Sequence, residues 1–235
     1  MGMWDSISSA CASVGNAISN TFSSFSSTCS DVINSVATHA PAISGVLKAL
    51  SVVIPHPYLK MALPIIDAAL VVIGLLATGE TTEEIGERAL HAKEANISPA
   101  DFFSYDEYMK EIRAFELDPE KSNDFNFGEK VAAGMSVQAW GMEEKFGEHS
   151  SELLSLIITD APSLNKGEGY FTESRVDSIL QSIDSISNIV NFFKGKLDPD
   201  TRGEIESSLV DIEKSINPDM PIEDIYNQLD KQIQR

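Results

Sequence analysis

The sequence predicts an all-α protein: a multi-helix bundle with an N-terminal amphipathic helix and an apolar helical hairpin. Three observations carry that expectation. Apolar residues recur at steps of three and four over long stretches, helix-start signals precede most of those stretches, and strand-like alternation is weak throughout. At 235 residues the chain is long enough to bury a substantial core without disulfides.

The first element is a stripe formed by Trp4, Ile7, Cys11, Val14, Ile18, Phe22, Phe25, Cys29, Val32 and Val36. Its spacing is heptad-like to Ile18, then shifts at Phe22 as a stutter would. The other face is rich in hydroxyls, with eleven serines between Ser6 and Ser35. Serine, asparagine and Gly15 are mediocre helix formers, so this helix needs a protein or lipid surface to lie on. Cys11 and Cys29 would stand about 27 Å apart on a continuous helix, too far for a disulfide, so both read as free buried thiols.

A second run, PAISGVLKALSVVI, begins at Pro41 and stops at Pro55-His56-Pro57; a third extends from Tyr58 to Thr78, with Pro64 as a first-turn proline or a kink. The two runs predict the hairpin, residues 41–78. Lys48 and Asp67 each interrupt one arm, and antiparallel arms would bring them within about one turn, so they are expected to form a charge pair or to line a pore. The first arm, at roughly 21 Å, is shorter than a hydrocarbon core of about 30 Å.

Charge divides the chain into two pieces. Residues 1–79 hold Lys48 and Lys60 against Asp5, Asp31 and Asp67, while residues 80–235 hold the other 15 basic and 33 acidic side chains. The expected organisation is therefore an apolar, hydroxyl-rich helical module over 1–79 and an acidic all-α domain over 80–235. A net charge of −19 repels phosphate backbones and argues against nucleic acid as a partner.

Helix starts in the acidic part are signalled by Thr81-Thr82-Glu83-Glu84, Ser98-Pro99-Ala100-Asp101 and Ser104 before Glu107. Further starts are expected at Asp118-Pro119, Asn126, Asp160-Ala161-Pro162, Thr172, Asp198-Pro199 and Asn217-Pro218. Bundle-like spacing runs through Tyr105, Tyr108, Met109, Ile112 and Phe115, and again from Val176 to Phe193. The loop Ser163–Tyr170 is expected to be the most exposed connection.

The residues offer little chemistry. None of His39, His56, His91 and His149 lies in a ligand or triad spacing, and no nucleophile elbow or phosphate loop is present. Asp198 to Leu209 fails as a calcium loop, because Arg202 and Leu209 occupy positions that need oxygen ligands. Acidic pairs such as Glu83/Glu87 and Glu107/Glu111 read as solvated faces. The expectation is a non-enzymatic protein with no catalytic residue, metal or cofactor.

The N-terminal third, an apolar stripe with an uncharged hydroxyl face, suits a lipid interface. The candidate membrane-interacting residues are Trp4, Ile7, Val14, Ile18, Phe22, Phe25, Val32, Val36, Leu47, Leu50, Val53, Leu70, Val71, Ile73 and Leu75. An acidic helical body carrying an apolar hairpin resembles in plan the secreted membrane-permeabilising toxins and colicin-type proteins. That likeness in organisation implies insertion into a target bilayer or pore formation. No basic n-region or continuous apolar core marks a signal peptide, so the expected route is secretion without a cleavable signal, or residence in the cytoplasm before delivery to a membrane. The alternative is a structural or interaction protein, such as a cargo, virion or secretion-apparatus component, that self-associates or docks through residues 1–40.

Overall fold

A computed structural model describes residues 25–53, 57–121 and 123–233. They are all-helical, with no strand among them. The helices are α1 (Ser27–Ala37), α2 (Ile43–Val53), α3 (Leu59–Val72), α4 (Thr82–Glu94), α5 (Tyr105–Ala114), α6 (Phe127–Phe146), α7 (Glu152–Leu164), α8 (Glu173–Ser182), α9 (Ile186–Phe193), α10 (Pro199–Ile216) and α11 (Ile222–Ile233). Short 3₁₀ turns at Pro99–Asp101 and Pro119–Lys121 complete them.

The bundle is organised around α6. Val131 to Met142 are buried without interruption, because this stretch carries no charge and many small residues, and α1, α2, α4 and α5 pack around it. The α4–α6 crossing requires glycine on both helices. A Cβ on Gly86 would fall 1.7 Å from the Lys130 carbonyl oxygen, and one on Gly134 would fall 1.9 Å from that of Thr82. A second layer of α7 to α11 closes the other side, where the buried Arg175 of α8 donates to both carboxylate oxygens of Glu213 on α10, at 2.5 and 3.0 Å. Apolar side chains from both sides of residue 80 belong to one continuous core.

Most helix starts follow the sequence. Thr81 and Glu84 form the capping box of α4, Asn126 and Glu129 that of α6, and Ser104 and Asp198 accept from the first turns of α5 and α10. Thr172 precedes α8 without a side-chain cap bond. Asp160-Ala161-Pro162 starts nothing: it lies inside α7, and Asp160 accepts the Phe171 amide at 2.9 Å. Asn217 closes α10 and α11 begins only at Ile222. The run from Val176 to Phe193 is two helices, cut where Ser185 caps α9. In the loop 163–170, residues 165–168 are exposed, whereas Tyr170 is buried.

Of the stripe from Trp4 to Val36, residues 4–24 lie outside the described residues, and within the described part a helix starts at Ser27. Ser26 is extended (φ −62°, ψ 157°) and caps α1, while its amide donates to Glu129 at 2.6 Å. Two expectations for the N-terminal third change. The third run stops at Val72, not Thr78, because Gly74 takes φ 74° and the amides of Leu75 and Leu76 both turn back to the Leu70 carbonyl. Finally, α2 and α3 are not a closely packed hairpin. Both lean on α7, α2 also on α6 and α3 also on α8, so the two arms splay around shared partners and touch one another little.

Candidate functional site

The splayed pair α2–α3 carries five of the fifteen membrane candidates, Leu47, Leu50, Val53, Leu70 and Val71. Val32, Val36, Leu47, Leu50, Val53, Leu70 and Leu75 are core residues in this fold, and Phe25, Val71 and Ile73 pack partly buried against the same core. Their helical spacing fits a protein interior as well as a lipid surface, and here the interior takes them. Trp4, Ile7, Val14, Ile18 and Phe22 lie outside the described residues, as do Cys11 and His56. Cys29 is buried and in no disulfide, as expected, and its thiol donates to the Glu129 carbonyl at 3.6 Å; burial, reinforced by the Glu129 charge, pushes the thiol up to about 12.

Other apolar side chains face outward: Phe103, Ile222 and Tyr226 elsewhere in the bundle, and three on α2 and α3. Val52 is 66% exposed, and Met61 and Val72 are also exposed, so both arms show apolar surface, Val52 near the end of α2 and Met61 near the start of α3. No local signal distinguishes these three from their buried neighbours, because the face of a helix that lies outward depends on which partner covers the other side.

The expected Lys48–Asp67 pair does not form. Asp67 Oδ1 instead accepts the Thr82 amide at 2.9 Å and the Thr82 hydroxyl at 2.5 Å. The splay of the arms separates the two charges, and the fully buried first residue of α4 offers a donor pair that the carboxylate meets directly. Burial raises the Asp67 carboxyl above its ordinary value, the two bonds from Thr82 pull it back, and Glu84 adds a further upward push. Lys48 is exposed and lies in a cleft on the α7 side of α2. Lys60, on α3, sits 5.7 Å from the centre of the Phe127 ring.

A second polar cluster lies at the α1–α2 junction. His39 stacks on Trp140 of α6 with ring centres 4.2 Å apart and planes 14° apart. Trp140 donates to Glu144 at 3.0 Å, and Glu144 also accepts the Tyr105 amide at the start of α5. The adjacent Glu143 accepts the Ser151 hydroxyl and is bonded to the backbone of Ala42. Burial lowers the His39 pKa, opposed by a hydrogen bond to the Pro99 backbone and by the Glu144 charge. Burial raises Glu143. The cluster ties the entry of α2 to α6.

The other described histidines assemble no nucleophile and base. His91 is buried against Phe125, 3.7 Å from Glu94, and exposed His149 lies between Glu148 and Glu152. Among the described residues no group of three or more His, Cys, Asp or Glu is arranged to hold a metal ion, and no helix is long and apolar enough to cross a membrane. Comparison with protein-family models, curated proteins and solved structures found no match for this chain.

Proposed function

We propose that the protein is a membrane-active effector, non-enzymatic, that meets a target bilayer through the α2–α3 unit and permeabilises it. The observation that carries this reading is the outward apolar surface on both arms: Val52 lies near the end of α2, Met61 near the start of α3 and Val72 ends α3, on the two helices whose inner faces are almost wholly apolar. Lengths limit the depth. The eleven residues of α2 and fourteen of α3 reach about 16 and 21 Å, against roughly 15 Å for one leaflet and 30 Å for the whole core. The reading is therefore insertion to the depth of a leaflet, with pore formation requiring several copies.

The surface charge acts against binding to anionic lipids, so zwitterionic vesicles are the first target to test. Dye-loaded phosphatidylcholine vesicles should leak on addition of the full chain, and Val52→Asp with Met61→Asp should reduce leakage at least tenfold without loss of helicity. A folded chain that neither binds nor permeabilises vesicles at neutral or acidic pH ends this proposal. The alternative, docking or self-association through residues 1–40, has less of the stripe to use, since the apolar face of α1 is already internal.

A further inference from the structure

A cleft of about 600 Å³ opens between α2, α7, the end of α9 and the end of α11, within the range of roughly 300–1,000 Å³ common for small-molecule sites. Its charge runs against that of the chain. Lys48, Lys194 and Lys196 line it against two carboxylates, Glu152 and Asp160, in a protein of net charge −19.

Both carboxylates are already engaged. Glu152 is shared by Lys194 and His149, and Asp160 holds the Phe171 amide. Lys48 and Lys196 are exposed and have no ion-pair partner among the described residues. Three lysines against two carboxylates leave the lining with one net positive charge, and burial together with repulsion from Lys196 lowers the Lys194 pKa.

The remainder of the wall is apolar. Phe171 and Phe193 meet edge to face at 5.2 Å, and Leu156 and Ile233 continue the surface. Between the two regions, Ser155 presents a buried hydroxyl oxygen with no hydrogen-bond partner. Gly45 faces that oxygen across the α2–α7 contact, where a Cβ would stand at van der Waals distance, 3.7 Å, so nothing polar from α2 meets it. Cationic side chains, a free hydroxyl and an aromatic floor in one concavity match a ligand with an anionic head and an apolar tail.

We propose that this cleft binds a monomeric amphipathic anion, a carboxylate or phosphate head on a single acyl or alkyl tail, with Lys48, Lys196 and Ser155 at the head and Phe171 and Phe193 along the tail. The site does not depend on the membrane reading; it stands if vesicle leakage fails.

The test is isothermal titration of the full chain, below micellar concentration, with dodecanoate, dodecyltrimethylammonium and inorganic phosphate. The expected result is one saturable dodecanoate per chain, with the cationic amphiphile and phosphate alone each binding at least tenfold more weakly. Lys48→Gln with Lys196→Gln should weaken dodecanoate at least tenfold at an unchanged melting temperature. Thr159→Trp, an exposed position on the cleft wall, should block it independently. Equal binding of the cationic amphiphile, an affinity untouched by both variants, or no saturable binding overturns the proposal.

Discussion

Replacing Asp67 separates a charge pair from a hydrogen-bond clasp. In the structure one oxygen of Asp67 receives both the amide and the hydroxyl of Thr82, a residue with no exposed surface at the first turn of α4. Asp67→Ala removes the acceptor and leaves two buried donors without a partner, and such groups cost about 1–3 kcal/mol each. Part of that loss is recovered because a carboxylate held above its usual pKa by burial also disappears. A net loss of about 2–3 kcal/mol follows, which for a chain of this size lowers the melting temperature by roughly 5–10 °C. Asp67→Asn keeps an oxygen in place for both donors and removes the buried charge, so it should lie within about 1 kcal/mol of the native protein. The sign of the pH effect follows from the raised carboxyl. Its favourable contribution is complete below the ordinary value near 3.8 and is lost as pH rises through the folded value, so Asp67→Asn should gain on the native protein as pH rises above about 4. Urea unfolding at pH 4, 5.5 and 7 reads all three effects. An Asn variant as unstable as the Ala variant would show that the charge itself is needed, and the clasp would be refuted; Lys48→Gln, on the same reasoning, leaves stability unchanged.

Gly86→Ala places a methyl 1.7 Å from a backbone oxygen that cannot rotate away, so α4 and α6 must separate. We expect a loss of at least about 3 kcal/mol by chemical denaturation, whereas Gly203→Ala, with open space around it, should be neutral or gain up to about 1 kcal/mol. Glu213→Ala strands the buried Arg175 guanidinium and should cost about 3–5 kcal/mol in the same assay. His39 has its pKa lowered, so the unfolded chain takes up its proton first as pH falls below about 6.5, and stability drops there. Its neighbours Glu143, Glu144 and Glu148 remain in place in His39→Phe, which keeps the stack on Trp140 and should flatten the pH 7 to 5.5 part of the stability curve.

The sequence makes the helices and their starts legible because caps are local. A Ser, Thr, Asn or Asp with a suitable third neighbour needs no distant partner, as Thr81, Ser104, Asn126 and Asp198 demonstrate. Where tertiary structure decides, the reading from sequence diverges. A helix starts at Ser27 inside the stripe, and Ser26, its cap, gives its amide to Glu129, more than a hundred residues away. Asp67 turns from Lys48 to Thr82 because α7 receives both arms and keeps them apart. The buried run Val131–Met142 carries its signal openly, twelve positions without a charge in the acidic part, and it marks α6 as the centre of the bundle. The cleft lysines are 146 and 148 residues apart in sequence from Lys48, so only the fold brings them together.

The splay also changes how a membrane role would work. A closely packed hairpin could leave the bundle as a unit with its arms still covering each other, but α2 and α3 are covered by α6, α7 and α8, so withdrawing them opens the core. Lipid tails can stand in for the apolar neighbours left behind in that step at small net cost, since either environment removes the same side chains from water. The Asp67 clasp is different, because hydrocarbon offers no donor in place of Thr82. Neutralising that carboxyl therefore favours both the closed fold and the lipid-exposed arm, and it cannot by itself act as a release. The His39 stack has the opposite sign: protonation loosens the α1–α2 junction beside Trp140, at the point where α2 enters the bundle. Acid-triggered exposure of the arms, if vesicle leakage rises with falling pH, is assigned on these grounds to His39 and not to the carboxylate in the apolar helix.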